Sequence, residues 1–326
     1  MLVAAAAAWG QTASAPTDLT GPLGAEAAAA NALRAAAGAA EVLQTDHFVI
    51  AYTAPATSAR ELAARLESVY AAHVALVRQF KLPARRPTRK LPVVLLSSHA
   101  AFVEHLRREG VEAGELLGCY LPAAGRCVYF DLDTYPPLAA LRAEADASGQ
   151  EALRRRFERR CAALALSVVQ HEAAHQMQAG LGLVPPGPAA PVWLREGLAM
   201  RFEVPLAADG RPLSARNAYR LYEFQRLLRD RGAPRALPEF VLDDAAWRGG
   251  PDYSLAWALV EYLQEAHPRE FATLLRRMMD AGLPTAPDQR RALLDELFGP
   301  IDAAWMQRFH SHVMAWPFDG NFGEDG

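Results

Sequence analysis

The chain has 326 residues, of which 51% are hydrophobic and 22% are charged, and its formal net charge is −3 with histidine neutral. This length allows a large core and favours two subdomains. The near-neutral charge argues against a nucleic-acid partner, because nucleic-acid-binding proteins carry a strong basic field. Arginines do cluster between Arg154 and Arg160, but this run is typical of the solvated face of a helix.

Residues 1–40 are predicted to form a leader or linker, with one short helix near Ala25–Ala37. The apolar run after Met1 and the segment Ala13-Ser14-Ala15 resemble a short signal peptide with its processing site, which indicates export to the periplasm or the medium. No Lys or Arg precedes Arg34, so a cytoplasmic location is the alternative. No other apolar run approaches the ~20 residues that span a bilayer, and we expect no stable membrane span.

A small mixed β-sheet subdomain is predicted over residues 41–145. Apolar runs bounded by turn residues indicate strands, and the last two of them form a hairpin. The strands are expected at His47–Tyr52, Leu91–Leu96, Leu117–Leu121 and Arg126–Asp131, with helices at 57–80 and 98–108 between them.

Three cysteines are too few for a disulfide scaffold. Cys119 and Cys127 flank the turn of the predicted hairpin and could face each other across it. A disulfide in an oxidising compartment and two free thiols are both open at this point.

A mostly helical subdomain is predicted over residues 146–316, followed by a tail at 317–326. A long helix is expected from Gln150 to Gln178, and glycines at its end stop it. The later helices are expected at 192–203, 215–231, 252–266, 268–281, 287–298 and 301–315, with Pro300 in the first turn of the last one. Strands in the first half and helices in the second predict an α+β fold.

The long helix carries the motif His171-Glu172-Ala173-Ala174-His175. Residues four apart lie on one face of a helix, so both histidines can bind one metal ion. Glu172 lies about 100° further round the helix, where it can act as a general base without binding the ion. Zinc is the predicted ion, since this set of groups is typical of catalytic zinc sites. The apolar residues 161–169 predict that the helix is buried on its way to the motif.

A hydrolytic zinc site uses three protein ligands and keeps one position open. Glu196 is the leading candidate for the third ligand, because the chain can fold back through a proline-rich loop to present its carboxylate. A surface pair of Glu196 with Arg195 is one alternative. Glu203 is the other candidate ligand, although its position favours a role in orienting one of the histidines.

These segments resemble the gluzincin metallopeptidases, and most closely their peptidase-MA-like branch, which includes members of unassigned function. The resemblance is most specific in the zinc motif and in the second helix. It covers roughly residues 45–265, through the segments Asp46–Ile50, Gly118–Asp131, His171–Gln176, Pro191–Ala199 and Tyr253–Leu263.

The resemblance implies a zincin-like α+β fold and a zinc-dependent peptidase acting on peptide or protein substrates. His171, His175 and Glu196 would bind Zn²⁺, and Glu172 would act as general base and then acid. Tyr253 would donate a hydrogen bond to the developing oxyanion, and the alternative is a tyrosine that packs on the core at the start of a helix. The edge strand of the hairpin would hold an extended peptide.

The sequence also departs from this family. Met200 stands where thermolysin-like members place an acidic residue that supports a histidine, and no histidine is assigned to the oxyanion, although His267, His310 and His312 are available. Two alternatives therefore stand beside the peptidase. One is a non-catalytic zinc-containing module of the same fold that binds peptides or proteins, and the other is an exported interaction protein.

Overall fold

The structure is a computed structural model that describes residues 19, 21–24, 27–39, 41–185, 187–214, 216–231 and 237–318. The predicted signal sequence and the last eight residues of the predicted tail lie outside the described residues. The strands are β1 (Glu41–Gln44), β2 (Phe48–Tyr52), β3 (Leu91–Leu96), β4 (Cys119–Leu121) and β5 (Arg126–Phe130). The helices of the first half are α1 (Ala27–Ala37), α2 (Ala56–Phe80), α3 (His99–Arg108) and α4 (Pro136–Ala147). The remaining helices are α5 (Glu151–Gly180), α6 (Val192–Met200), α7 (Ala218–Arg231), α8 (Leu237–Leu242), α9 (Pro251–Ala266), α10 (Pro268–Ala281), α11 (Pro287–Phe298) and α12 (Ala303–Met314).

The five strands form one mixed sheet in the order β1-β2-β3-β5-β4. The three inner strands run parallel, while β1 and β4 pair antiparallel at the two edges. The inner strands β2 and β3 are apolar at consecutive positions because both of their faces are covered. The α+β fold class predicted from the sequence is confirmed.

Alternate residues of the sheet enter two different clusters of the core. On one face, Ile50, Leu95 and Tyr129 join the large cluster that includes α2, α5, α6 and α9. On the other face, Val94 and Phe130 join a smaller cluster with α1 and α3. The sheet therefore lies between two helical layers, and the larger of them contains the helix with the zinc motif.

Helices α6 and α9 pack closely at Gly197. A Cβ atom at this position would lie 2.6 Å from the carbonyl oxygen of Ala256 and 2.5 Å from Cγ2 of Val260. The absence of a side chain at Gly197 therefore sets how close the two helices lie, and α6 carries Glu196 at the adjacent position.

Several elements differ from the sequence prediction. The short strand β1 and the helices α4 and α8 were not predicted as such, since each is short or weakly patterned. Helix α12 begins after Pro300, because the side chain of Asp302 accepts a hydrogen bond from Trp305 N and caps it. Part of the predicted linker packs on the fold, where Leu23 N donates to the carbonyl of Asp46 at 2.8 Å.

Cys119 and Cys127 are both free thiols. Cys119 lies opposite Val128 and Cys127 lies opposite Tyr120 in the β4–β5 register. Directly opposed residues share a face, so the two cysteines point to opposite faces of the sheet. This geometry excludes the disulfide that the sequence left open.

Within the described part of the chain, no helix combines the length and the hydropathy that crossing a bilayer requires.

Candidate metal centre

Three ligand atoms from two helices converge beside the sheet. Nε2 of His171 lies 3.1 Å from Nε2 of His175 and 3.2 Å from Oε2 of Glu196, and the third side of this triangle is 3.3 Å. Ligands about 2.05 Å from a zinc ion in a tetrahedron lie about 3.3 Å from one another. The distances between the three atoms therefore fit a small cation with tetrahedral coordination, and the cluster could hold a metal ion.

The donor set narrows the class of ion. Two imidazole nitrogens and one carboxylate oxygen suit a first-row transition metal, while calcium and magnesium prefer sites built from oxygen alone. The side chains of His171, His175 and Glu196 are 14%, 12% and 11% exposed, so the cluster is largely buried but still reaches solvent. This openness is what a site with a fourth, exchangeable position requires.

The electrostatics of the cluster favour a cation. Burial alone would lower the pKa of His171, but its hydrogen bonds to Glu196 and Glu203 outweigh burial and raise the pKa to about 10. Burial would raise the pKa of Glu196, yet the neighbouring histidines hold it well below its usual range. The same negative field that retains a proton on His171 would retain a metal ion, since metal and proton compete for one nitrogen.

Glu203 contacts the ring nitrogen of His171 that does not face the cluster. Its Oε1 lies 2.8 Å from Nδ1 of His171, which directs Nε2 toward the cluster. Arg220 donates to both oxygens of Glu203, at 3.1 and 3.2 Å, and Asn217 donates at 3.1 Å. Burial would raise the pKa of Glu203, but Arg220 and His171 lower it to about 2. Glu203 is therefore ionised and held in one orientation.

Arg195 holds the other oxygen of Glu196. Its Nε donates to Oε1 of Glu196 at 3.2 Å, while Oε2 faces the histidines. The adjacent pair that the sequence suggested is therefore present, but Glu196 is buried, and the pair lies at the cluster rather than on an unrelated surface.

Glu172 lies between the cluster and the edge of the sheet. Its Oε2 accepts a hydrogen bond from Tyr120 N in β4 at 2.7 Å. Gly118 allows this approach, since a Cβ there would lie 2.8 Å from Cγ1 of Val168 and 3.4 Å from Cγ of Glu172. The bond holds the carboxylate through Oε2.

Tyr253, in the first turn of α9, borders the cluster. Its ring centroid lies 6.3 Å from that of His171, and Trp247 packs edge-on against it at 5.0 Å. Burial raises the pKa of Tyr253, and the charges of Glu196 and Glu172 raise it further. Its hydroxyl is therefore a proton-bearing group at neutral pH and can donate a hydrogen bond.

Some sequence interpretations are corrected. Residues 161–169 are exposed or half-buried, and the fully buried residues of α5 begin only at Gln170. Helix α6 ends at Met200, so Glu203 reaches His171 from the turn that follows the helix. The role in orienting a histidine that the sequence favoured for Glu203 is confirmed by this contact with His171.

The sequence did not predict two residues of the centre, and it left the role of three histidines open. Asn217 and Arg220 were missed. Helix α7 begins at Ala218 instead of residue 215, and Asn217 caps it by accepting from Arg220 N. The three histidines without an assigned role pack on aromatic rings instead of joining the cluster. The contacts are those of His267 with Tyr262 and Phe298, His310 with Phe224 and Phe309, and His312 with Tyr262 and Trp316.

Residues 165–281 match the model of a family described as protein of unknown function (DUF1570). This segment contains the cluster, Glu172, Arg195, the residues that support His171, and Tyr253. No curated protein matches the chain.

Proposed function

We propose that the protein is a zinc-dependent peptidase in which His171, His175 and Glu196 hold the metal. The observation that carries the proposal is the triangle of ligand atoms with Glu172 fixed beside it at the edge of the sheet. A bound zinc ion would supply a Lewis acid that polarises a carbonyl group and acidifies a water molecule.

Glu172 is assigned the proton transfers. Its Oε1 takes a proton from the attacking water as the oxygen of that water adds to the peptide carbonyl carbon. The proton then passes to the amide nitrogen as the C–N bond breaks, which releases a carboxylic acid and an amine. The hydroxyl of Tyr253 is assigned to the oxyanion as a hydrogen-bond donor.

The substrate is assigned to the edge of the sheet along β4. Because Tyr120 N points to Glu172 and away from β5, the carbonyl of Tyr120 points outward as well. An extended peptide could donate one of its N–H groups to this carbonyl. Glu172 already occupies the outward N–H of Tyr120, so β4 offers the peptide mainly an acceptor.

The proposal is tested by measuring zinc content and peptide cleavage in the wild type and in Glu172→Gln. We expect both proteins to bind about one zinc ion, because Glu172 is not a ligand, and only the wild type to cleave a mixed peptide library. Zinc in both proteins without cleavage by either would favour the non-catalytic binding module. Absence of zinc from both would refute the site.

A further inference from the structure

Arg195 is the exposed part of an otherwise buried helix. From Trp193 to Met200, every residue of α6 is buried except Arg195, whose side chain is 36% exposed. Between Trp193 and Met200, helix α6 therefore contacts solvent mainly through Arg195, next to Glu196. A charged group in this position is accessible to a molecule that approaches Glu196 from solvent.

The guanidinium of Arg195 is also held in place. Its Nε donates to Oε1 of Glu196 at 3.2 Å, and this bond ties the group to the cluster while leaving its two Nη groups as additional donors. The other arginine of the centre, Arg220, is committed to buried Glu203. Arg195 is thus the half-exposed cation beside the ligands in the described part of the centre.

Aromatic groups also border the centre, where Tyr253 lies beside His171. Val192 N, at the start of α6, donates to Oδ1 of Asp244 at 3.1 Å, which docks the segment before Trp247 against α6. Trp247 and Tyr253 are half-buried and in mutual contact. A fixed cation beside Glu196 and two aromatic rings near His171 suit a ligand that carries a carboxylate next to an apolar side chain.

We infer that Arg195 binds a carboxylate of the substrate, supplied either by the free C-terminus of a peptide or by an acidic side chain near the cleaved bond. Arginine presents two parallel N–H groups that match the two oxygens of a carboxylate. The inference rests on the proposed peptidase function and names its substrate class. It assigns a preference for anionic peptides to a centre that otherwise offers them a metal ion and two aromatic rings.

The test measures peptide binding to the zinc-loaded Glu172→Gln protein, in which cleavage does not interfere. Three fluorescein-labelled peptides of the sequence Ala-Ala-Phe-Ala-Leu are compared by fluorescence anisotropy: one ends in a free carboxylate, one ends in an amide, and one ends in an amide but carries Glu in place of the fourth residue. We expect at least one carboxylate-bearing peptide to bind about tenfold more tightly than the neutral amide. The free-acid and Glu peptides distinguish the two sources of the carboxylate.

The preference should disappear when Arg195→Gln is added and should be reduced by Arg195→Lys, because an ammonium group lacks the paired N–H groups. Arg229→Gln, on the exposed face of α7, removes the same charge and should leave the preference unchanged. Zinc content and melting temperature are measured for each variant, so that loss of metal or of folding is detected directly.

A preference that persists in Arg195→Gln, equal binding of the three peptides, or binding of none of them would overturn the inference. Cleavage by the protein with Glu172 intact reports separately on the proposed function. If peptides are cleaved without any preference for a carboxylate, the role of Arg195 is refuted and the peptidase proposal stands.

Discussion

At the scale of single residues, two of the three candidate ligands, His171 and Glu196, are fixed by partners outside the cluster. Glu203 fixes His171, Arg220 fixes Glu203, and Arg195 fixes Glu196. Such partners set the tautomer and the orientation of a ligand, and their loss typically weakens metal binding about 10- to 100-fold. The arrangement therefore separates residues that would bind an ion from residues that orient those candidate ligands.

We expect substitution of a ligand to weaken zinc binding more than substitution of a residue that orients a ligand. Competition with a chromophoric chelator measures the zinc affinity. Glu203→Gln should weaken binding about 10- to 100-fold, and Glu196→Ala should weaken it more, because a ligand is lost. Glu61→Gln, on the exposed face of α2, serves as the control for loss of a negative charge. A larger effect of the Glu203 variant would mean that Glu203 is the third ligand.

His73 makes stability depend on pH. It is fully buried, stacks on Phe202 at 3.8 Å, and donates through Nδ1 to the carbonyl of Val69. Burial lowers the pKa of His73 to about 3, from an ordinary value of 6.5. The unfolded chain therefore binds a proton at His73 more readily than the folded protein does. The contribution of neutral His73 to the free energy of unfolding is fully present above pH 6.5 and is lost as the pH falls toward 3.

From pH 7 to pH 5, the free energy of unfolding of the metal-stripped wild type should fall by about 2 kcal/mol more than that of His73→Phe. Urea unfolding at a series of pH values measures both proteins, and the other histidines act as a common background. Parallel pH profiles would mean that His73 is not held neutral by the fold.

At the scale of elements, the centre depends on how α6 lies between α5 and α9. Helix α5 carries both histidines, α6 carries Glu196, and α9 carries Tyr253. A shift of α6 away from α9 would move Glu196 with it. The contact at Gly197, next to Glu196, is therefore expected to control the geometry of the site.

Gly197→Ala should destabilise the fold by about 1–3 kcal/mol, because the new methyl group overlaps the backbone of α9. Gly24→Ala is the matched control, since nothing lies within 4 Å of a Cβ at that position. Chemical unfolding measures the two variants. Equal stability of both would mean that α6 and α9 adjust freely around Gly197.

Much of the secondary structure could be predicted from the local sequence pattern. The inner strands, the hairpin and the long helix follow from runs of apolar residues and from their turn signals, and the motif spacing placed His171 and His175 together. The contacts of Glu203 with Arg220 and Asn217 were not predictable, because they join a turn to a helix that is distant in sequence. Helix α4 and strand β1 lacked a strong periodic pattern of their own.

At the scale of the whole molecule, the candidate metal centre joins separate segments of the chain. Its candidate ligands come from α5 and α6, while β4 contributes the partner of Glu172 and α9 contributes Tyr253. An ion bound only by the folded chain stabilises it, by about 4 kcal/mol when zinc is present at about 1,000 times its Kd.

We therefore expect zinc to raise the melting temperature of the wild type relative to the same protein in chelator. The increase should be lost in His175→Ala, which removes a ligand, and retained in Glu172→Gln, which does not. Differential scanning calorimetry measures all three proteins. An increase that persists in His175→Ala would place the stabilising ion elsewhere.

The most direct test of the metal centre is a crystal structure of the zinc-loaded protein with anomalous diffraction recorded on both sides of the zinc absorption edge. We predict one strong peak about 2 Å from Nε2 of His171, Nε2 of His175 and Oε2 of Glu196, with Glu203 still bonded to Nδ1 of His171. A peak coordinated by Glu203 instead of Glu196, or no peak between the two histidines, would contradict the account.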